Sequence, residues 1–148
     1  MLKLSLVTLM TLQLTGVSAS FAAEDSISGL QGVMRDMGVQ FGVLTNALLK
    51  HQATSQGDLQ AAADTLVADV KNAKPRLPDS LIDSAGVPLP GKQAEIQQFN
   101  DIMDQLIAGV TKLDVAITAG DNGSATTILT GTIIPIIKQG HGLFKPQE

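Results

Sequence analysis

The residue best suited to chemistry in this chain is His141, because of its place in a helical pattern. Residues recur at spacings of three and four, the period of one helix face, at Thr130, Ile134, Ile137, His141 and Phe144. The pattern predicts an imidazole that faces a core. Burying an imidazole without a partner is costly, so its nitrogen must meet a hydrogen-bonding group, a water molecule or a metal ion.

Met34 is a candidate to share a metal ion with this histidine. It lies on the apolar face of an early helical stretch, and an antiparallel pairing of that stretch with the last one would bring Met34 towards His141. Imidazole nitrogen and thioether sulfur form a known axial pair for haem iron. Methionine on such a face is more commonly core packing, and a lone histidine is more commonly hydrogen-bonded. From spacing alone, both interpretations stay open.

Other polar residues offer no recognisable catalytic chemistry, which predicts that the protein is not an enzyme. No Ser/His/Asp or paired-carboxylate arrangement has a helix-compatible spacing. Asp101 and Asp104 predict a solvated helix face, and His51 lies near a helix end as a surface residue. The glycines at 120 and 123 mark a turn, since the Lys-Ser/Thr of a phosphate-binding loop does not accompany them.

Composition removes several other classes of function. The 148 residues include 14 acidic and 10 basic side chains, with no basic run, so nucleic acid and anionic membrane are poor partners. There is no cysteine, which excludes disulfides, zinc–thiolate sites and haem attached through thioether bonds.

The first residues resemble a secretory signal peptide. Lys3 precedes an apolar run over 4–17, and small residues follow up to a cleavage site after Ala22 or Ala23. We therefore expect a signal peptide over 1–23 and one domain over 24–148. No later segment has the length of a membrane span, so the mature protein is expected to be exported without a membrane anchor, into the periplasm if the source is a Gram-negative bacterium.

Four stretches of the chain have the helical period. The expected helices run from Ile27 to near His51, from near Asp58 to Pro75, from Ile96 to Ile117, and from a cap at Ser124 to Phe144. The fourth stretch is rich in β-branched Thr and Ile, which alone would favour a strand, and Pro135 should kink it. It is assigned as a helix because its apolar face continues and three helices need a fourth to close their core.

The Pro-rich residues 75–91 predict an ordered crossover loop between the second and third helices. Its apolar side chains are expected to pack on the domain: Leu77, Leu81, Ile82, Val87 and Leu89. Two short connections and one long one favour an all-α fold, an antiparallel four-helix bundle.

Two segments of the chain resemble known haem proteins. The C-terminal segment 137–145 (IKQGHGLFK) is similar to the haem-binding end of cytochrome c′, with Ile137 and Gly140 at the positions of its two cysteines. The segment 33–41 (VMRDMGVQF) resembles the first helix of the same superfamily. A haem-binding bundle that lacks attachment cysteines is the pattern of the cytochrome b562 family.

This resemblance implies the site and the activity. His141 matches the proximal haem ligand, Met34 the distal methionine, and Met37 an apolar pocket position. The implied cofactor is haem b, one per chain and non-covalent, with iron bound by Met34 and His141. Other residues would line it: Leu30, Met37, Phe41, Phe99, Met103, Leu106, Ile137 and Phe144.

The leading hypothesis is an exported, soluble b-type cytochrome that transfers single electrons to an unknown redox partner protein, as a monomer or homodimer. One alternative is a five-coordinate haem protein that binds a small gas. The other is a haem-free helical bundle that acts as a protein-interaction module. The acidic overall charge permits a basic partner.

Overall fold

The computed structural model describes residues 29–144, which form four helices and no strand. The proposed signal peptide, Ile27 and Lys145 lie outside the described residues. The helices are α1 (Leu30–Leu48), α2 (Gln56–Ala73), α3 (Gln93–Thr118) and α4, which runs over 122–144 in three segments. The prediction of an all-α four-helix bundle is confirmed. No helix within 29–144 is long and apolar enough to cross a membrane.

Both ends of the α1–α2 connection are defined by local hydrogen bonds. α1 ends before the predicted position, because His51 adopts a left-handed backbone (φ 53°) and the Gln52 amide donates to the Asn46 carbonyl at 3.0 Å. α2 begins two residues before Asp58, since Ser55 is its cap and its Oγ accepts from the Asp58 amide at 3.0 Å.

The chain between α2 and α3 is held by its own turn. Asp83 Oδ1 accepts from the amides of Ala85 and Val87 at 2.8 and 2.9 Å, and the Leu89 amide donates to the Leu81 carbonyl at 2.9 Å. Leu81 is buried, and Leu77, Ile82 and Leu89 are half-buried. The expectation that Val87 packs on the domain is wrong, because its position at the turn leaves it 55% exposed.

α3 has the apolar period that its sequence predicts, and it ends at a glycine. Gly120 adopts φ 70°, and the amides of Gly120 and Asp121 donate to the Ile117 and Ala116 carbonyls, both at 2.9 Å. This is the Schellman arrangement, in which a left-handed residue reverses the chain. The cap of α4 follows at once. It is Asp121 and not the predicted Ser124, since Asp121 Oδ1 accepts from the Ser124 amide at 2.9 Å.

α4 consists of α-helical Asn122–Ile128, π-helical Leu129–Ile133 and α-helical Ile134–Phe144. Threonine hydroxyls support the first segment by donating to carbonyls four residues back, as Thr126 does to Asn122 at 2.8 Å. The wider π turn lies just before Pro135, which has no amide to donate. The β-branched stretch is therefore helical.

The buried side of α4 lies next to the predicted one, at residues that recur with spacings of four, four and three. The buried residues of α4 are Ala125, Leu129, Ile133 and Ile136. The prediction that Thr130 and His141 face the core is wrong: both are exposed, and Ile134 is only half-buried.

The core lies among all four helices, and α3 packs closely against α4 at Gly109. A Cβ atom at Gly109 would lie 3.3 Å from Ile133 Cγ1 and 3.4 Å from Thr132 Cγ2. Even an alanine here would require these side chains to shift by a few tenths of an ångström, so the glycine permits close packing of the two helices.

Candidate functional site

The four helices enclose a cavity of about 340 Å³. Its wall is formed by the N-terminal half of α1, the C-terminal half of α4, and residues of α2 and α3. This volume is within the usual range for sites that hold an organic ligand. The wall residues are Leu30, Gln31, Met34, Met37, Gly38, Phe41, Leu66, Val70, Phe99, Ile102, Met103, Leu106, Val110, Ile133, Ile136, Ile137, Gly140, His141 and Phe144.

Every site residue that the sequence singled out lies on this wall: Met34, Met37, Phe41, Phe99, Met103, Ile137, His141 and Phe144. Met37, Phe99 and Met103 are buried. The others are half-buried, except His141, which is exposed. The structure thus brings the predicted residues together from three helices. Which of them bind a cofactor stays a prediction.

Sequence reasoning missed part of the wall for two different reasons. Leu66 and Val70 belong to the predicted inward face of α2, so their periodicity could have indicated them. Ile133 and Ile136 lie on the apolar face of α4 next to the predicted one, and spacing alone did not decide between the two faces.

His141 lies at the edge of the cavity on the last turns of α4. Gly140, on the wall beside it, lies near α3, and a Cβ atom there would be 3.5 Å from Ile102 Cγ2. Phe144, one turn on, packs edge-to-face on Phe99 of α3, with ring centroids 5.5 Å apart at 90°. These contacts hold the His141-bearing turn against α3.

Thioether sulfur is concentrated at this cavity. Met34, Met37 and Met103, the methionines of residues 29–144, all lie on its wall. Met37 and Met103 are buried (7% and 2% exposed), whereas Met34 is half-buried on α1. A nitrogen donor and a sulfur donor therefore line the same cavity from two different helices.

Among residues 29–144 the wall carries no charged side chain, and its polar side chains are those of Gln31 and His141. Gln31 Nε2 donates to Asp79 Oδ2 at 3.5 Å, in the 3₁₀ turn Asp79–Leu81. Such a wall favours an apolar ligand, because an ion placed among these side chains would lose its hydration without compensation. The donor set and the apolar surroundings fit haem, whose iron is commonly bound by His and Met.

Carboxyl groups with a raised pKa lie outside the cavity. Burial raises the pKa of Asp69 on α2, and the nearby charge of Asp36 raises it further. The Asp69 Oδ2 atom is buried and has no hydrogen-bond partner. Burial also raises the pKa of Asp114, although a hydrogen bond from Gln60 at 2.7 Å opposes this effect.

The remaining candidates do not form a second site. Asp101 and Asp104 are exposed, as the sequence predicts; Asp101 accepts from Gln97 at 2.7 Å, and Asp104 pairs with Lys74. His51 is exposed in the α1–α2 turn. Among residues 29–144 no three His, Cys, Asp or Glu side chains are grouped so that they could hold a metal ion.

Comparisons with known proteins agree with this geometry. The family model described as cytochrome b562 matches residues 29–145. No curated protein matches the chain significantly.

Solved structures of cytochrome c prime from Alcaligenes xylosoxidans have the same fold. They include a nitric oxide complex of one mutant, a ferrous form of a second and a reduced form of a third. Each is 17% identical, covers 84% of this chain and 96% of its own, and superposes with a TM-score of 0.65. At this identity the likeness concerns the fold alone.

The family match extends over all four helices and the complete cavity wall. The chain also has no cysteine through which haem could be attached. On these grounds the chain belongs to the cytochrome b562 family, whose members are helical bundles that bind haem non-covalently.

Proposed function

We propose that this protein is an exported b-type cytochrome that carries single electrons. One haem b would lie in the cavity, with its iron held by His141 and Met34. The observation that carries the proposal is that both donors line one apolar cavity from two different helices. The bound haem would supply the redox chemistry, an iron that gains or loses one electron.

Some residues of the chain would bind the haem iron, and others would set its reduction potential. His141 would donate an imidazole nitrogen from the edge of the cavity. Met34 would donate a thioether sulfur, which favours the reduced iron and raises the reduction potential. Buried Phe99 and Met103 would exclude water from the inner side, which raises the potential in the same direction.

Two protein ligands would leave no iron position for a substrate, so we propose a carrier and not an enzyme. An open sixth position would instead suit a gas-binding protein. The two cases differ only in whether Met34 binds, and that difference is visible in a spectrum.

We further propose export to the periplasm through residues 1–23. The partner would be a redox protein, and the mature chain would act as a monomer or homodimer without nucleic acid or membrane contact. Export is tested by fusing residues 1–28 to a periplasmic reporter. Export fails as a proposal if the reporter stays in the cytoplasm.

The deciding experiment is a titration of the purified mature protein with hemin, followed by reduction with dithionite. The chain has no Trp and no Tyr, so the protein background is small. We expect a Soret band that saturates at about one haem per chain, with narrow low-spin bands on reduction. The absence of a saturable Soret change would contradict haem binding by this chain and leave a haem-free bundle that binds a protein.

Two pairs of variants assign the ligands. His141→Ala should abolish or greatly weaken binding, whereas His51→Ala, which changes the other histidine, should leave the spectrum unchanged. Met34→Leu should give a high-spin spectrum, whereas Met37→Leu, on the same helix, should keep the low-spin bands. A low-spin spectrum in Met34→Leu would refute Met34 as a ligand.

A further inference from the structure

The α1 wall of the cavity is interrupted at Gly38. This glycine lies one helical turn after Met34, it lines the cavity, and it is exposed to solvent. The neighbouring wall positions on α1 carry the large side chains of Met34, Met37 and Phe41. A Cβ atom at Gly38 would meet no other heavy atom within 4 Å, so the space beside it is open.

This position is at the edge of the cavity that meets solvent. The wall residues of α2 and α3 are buried, and the exposed ones are Gln31, Gly38 and His141, on α1 and α4. Gln31 and His141 place polar side chains at this edge. Gly38 has no side chain to place there, and the space beside it is open.

We propose that Gly38 is a port through which a small neutral molecule, such as a diatomic gas, enters the cavity from the α1 side. The port lies about 6 Å along the helix axis from Met34, since four residues advance a helix by that distance. An entering molecule would therefore arrive at the face on which Met34 lies. This inference rests on the proposed function, which makes that face the distal side of the haem.

The class of molecule follows from the wall. In the described part of the chain no charged side chain lines the cavity, so an ion would lose hydration on entry without gaining a partner there. For a neutral molecule of two or three atoms, the desolvation cost of entering the cavity is small. Such a molecule would bind the haem iron only when the Met34 sulfur is not bound to it. The port would therefore matter for a reduced protein in which Met34 has dissociated or has been replaced.

A port and a packing position have different kinetic signatures. A side chain that closes a port slows entry and exit by the same factor and leaves the affinity unchanged. A side chain that fills the binding space lowers the affinity instead. Measuring both rates therefore separates the two roles.

The test uses the haem-loaded, dithionite-reduced protein carrying Met34→Ala, with carbon monoxide as the probe after flash photolysis. Gly38→Ala and Gly38→Leu are compared with Gly42→Ala and Gly42→Leu. Gly42 is the matched control: it lies one turn further on α1, a Cβ atom there also meets nothing within 4 Å, and it does not line the cavity. Both positions gain similar helix propensity on substitution.

We expect Gly38→Leu to slow association and dissociation of carbon monoxide each by about fivefold or more, a barrier increase of about 1 kcal/mol. Gly38→Ala should have a smaller effect in the same direction, and the Gly42 variants should match the parent. Equal rates in the two series would overturn the proposal, as would lower affinity without slower entry. If Gly38→Leu does not fold, the two alanine variants decide.

The haem-free protein gives a readout that does not depend on iron. Apolar cavities admit xenon, and its exchange between cavity and solvent is measurable by xenon NMR. Gly38→Leu should slow this exchange relative to Gly42→Leu, and unchanged exchange would count against the port. A parent that takes up no haem would overturn the proposed function. If the parent takes up haem but substitution of Gly38 does not change the carbon monoxide rates, only the port would be overturned.

Discussion

The contact between Phe99 and Phe144 should both stabilise the fold and hold His141 in place. Phe99 is 3% exposed, and its ring centroid lies 5.5 Å from that of Phe144 in an edge-to-face geometry. Aromatic pairs of this kind contribute about 1 kcal/mol beyond the area that they bury. Phe144 is one turn from His141, so the pair connects the last turn of α4 to α3.

The expected magnitudes follow from burial. Phe99→Leu should cost about 1.5 kcal/mol of unfolding free energy, and Phe144→Leu, at a half-buried position, about 1 kcal/mol. The double variant should cost less than the sum by about 1 kcal/mol, which is the coupling between the rings. Losing that coupling from the turn that carries His141 should weaken haem binding by about fivefold.

The unfolding free energies of the parent, the two single variants and the double variant are measured by urea denaturation. Unfolding is followed by far-ultraviolet circular dichroism, because the chain has no Trp or Tyr for fluorescence. Hemin titration of the same variants measures binding. Leu113→Ala is the control: Leu113 is 0% exposed and lies off the cavity wall, so it should cost about 2–5 kcal/mol without changing the haem spectrum. A coupling below about 0.3 kcal/mol, or equal loss of haem affinity in Leu113→Ala, would refute the reasoning.

Three further predictions concern stability. His51→Gly should raise the unfolding free energy by about 0.5–1 kcal/mol in urea melts, because the left-handed backbone at His51 is less strained for glycine. An unchanged unfolding free energy would contradict this. Hydrogen bonds from Ser124 hold the pKa of Asp121 below its usual value, so its contribution is present at neutral pH and is lost as the pH falls through the lowered value. Asp121→Ala should therefore lower the melting temperature at neutral pH, with a smaller difference in acid. Burial and the charge of Asp36 raise the pKa of Asp69, so the cost of ionising it appears as the pH rises through its ordinary value of 3.8 towards the raised one. Asp69→Asn should raise the melting temperature at neutral pH and have little effect below 3.8, and a loss of stability at neutral pH would contradict this account.

Much of the bundle could be predicted from local sequence. The spacing of apolar residues in α1, α2 and α3 places Leu44, Leu66 and Leu113 in the core, and each is buried. This works because an unbroken helix keeps a constant period, so one face can be read from spacing. The set of residues around the cavity could be named for the same reason, although most of their roles came from resemblance and not from spacing.

The direction of His141 was decided by tertiary structure. Two adjacent faces of α4 carry apolar residues at helical spacing, and the face with Leu129, Ile133 and Ile136 is the buried one. Ile133 on that face lies next to Gly109 of α3, a residue distant in sequence. This packing leaves Thr130 and His141 exposed, so His141 lies at the solvent edge of the cavity.

The sequence by itself determined the helix period, the absence of attachment cysteines, and the presence of one imidazole and several thioethers on helix faces. These depend on residue type and on separations of three or four positions. The open space beside Gly38, the raised pKa of Asp69 and the contact between Phe99 and Phe144 depend on how helices pack. Only tertiary structure decides them, because each results from atoms on different helices or from space left between them.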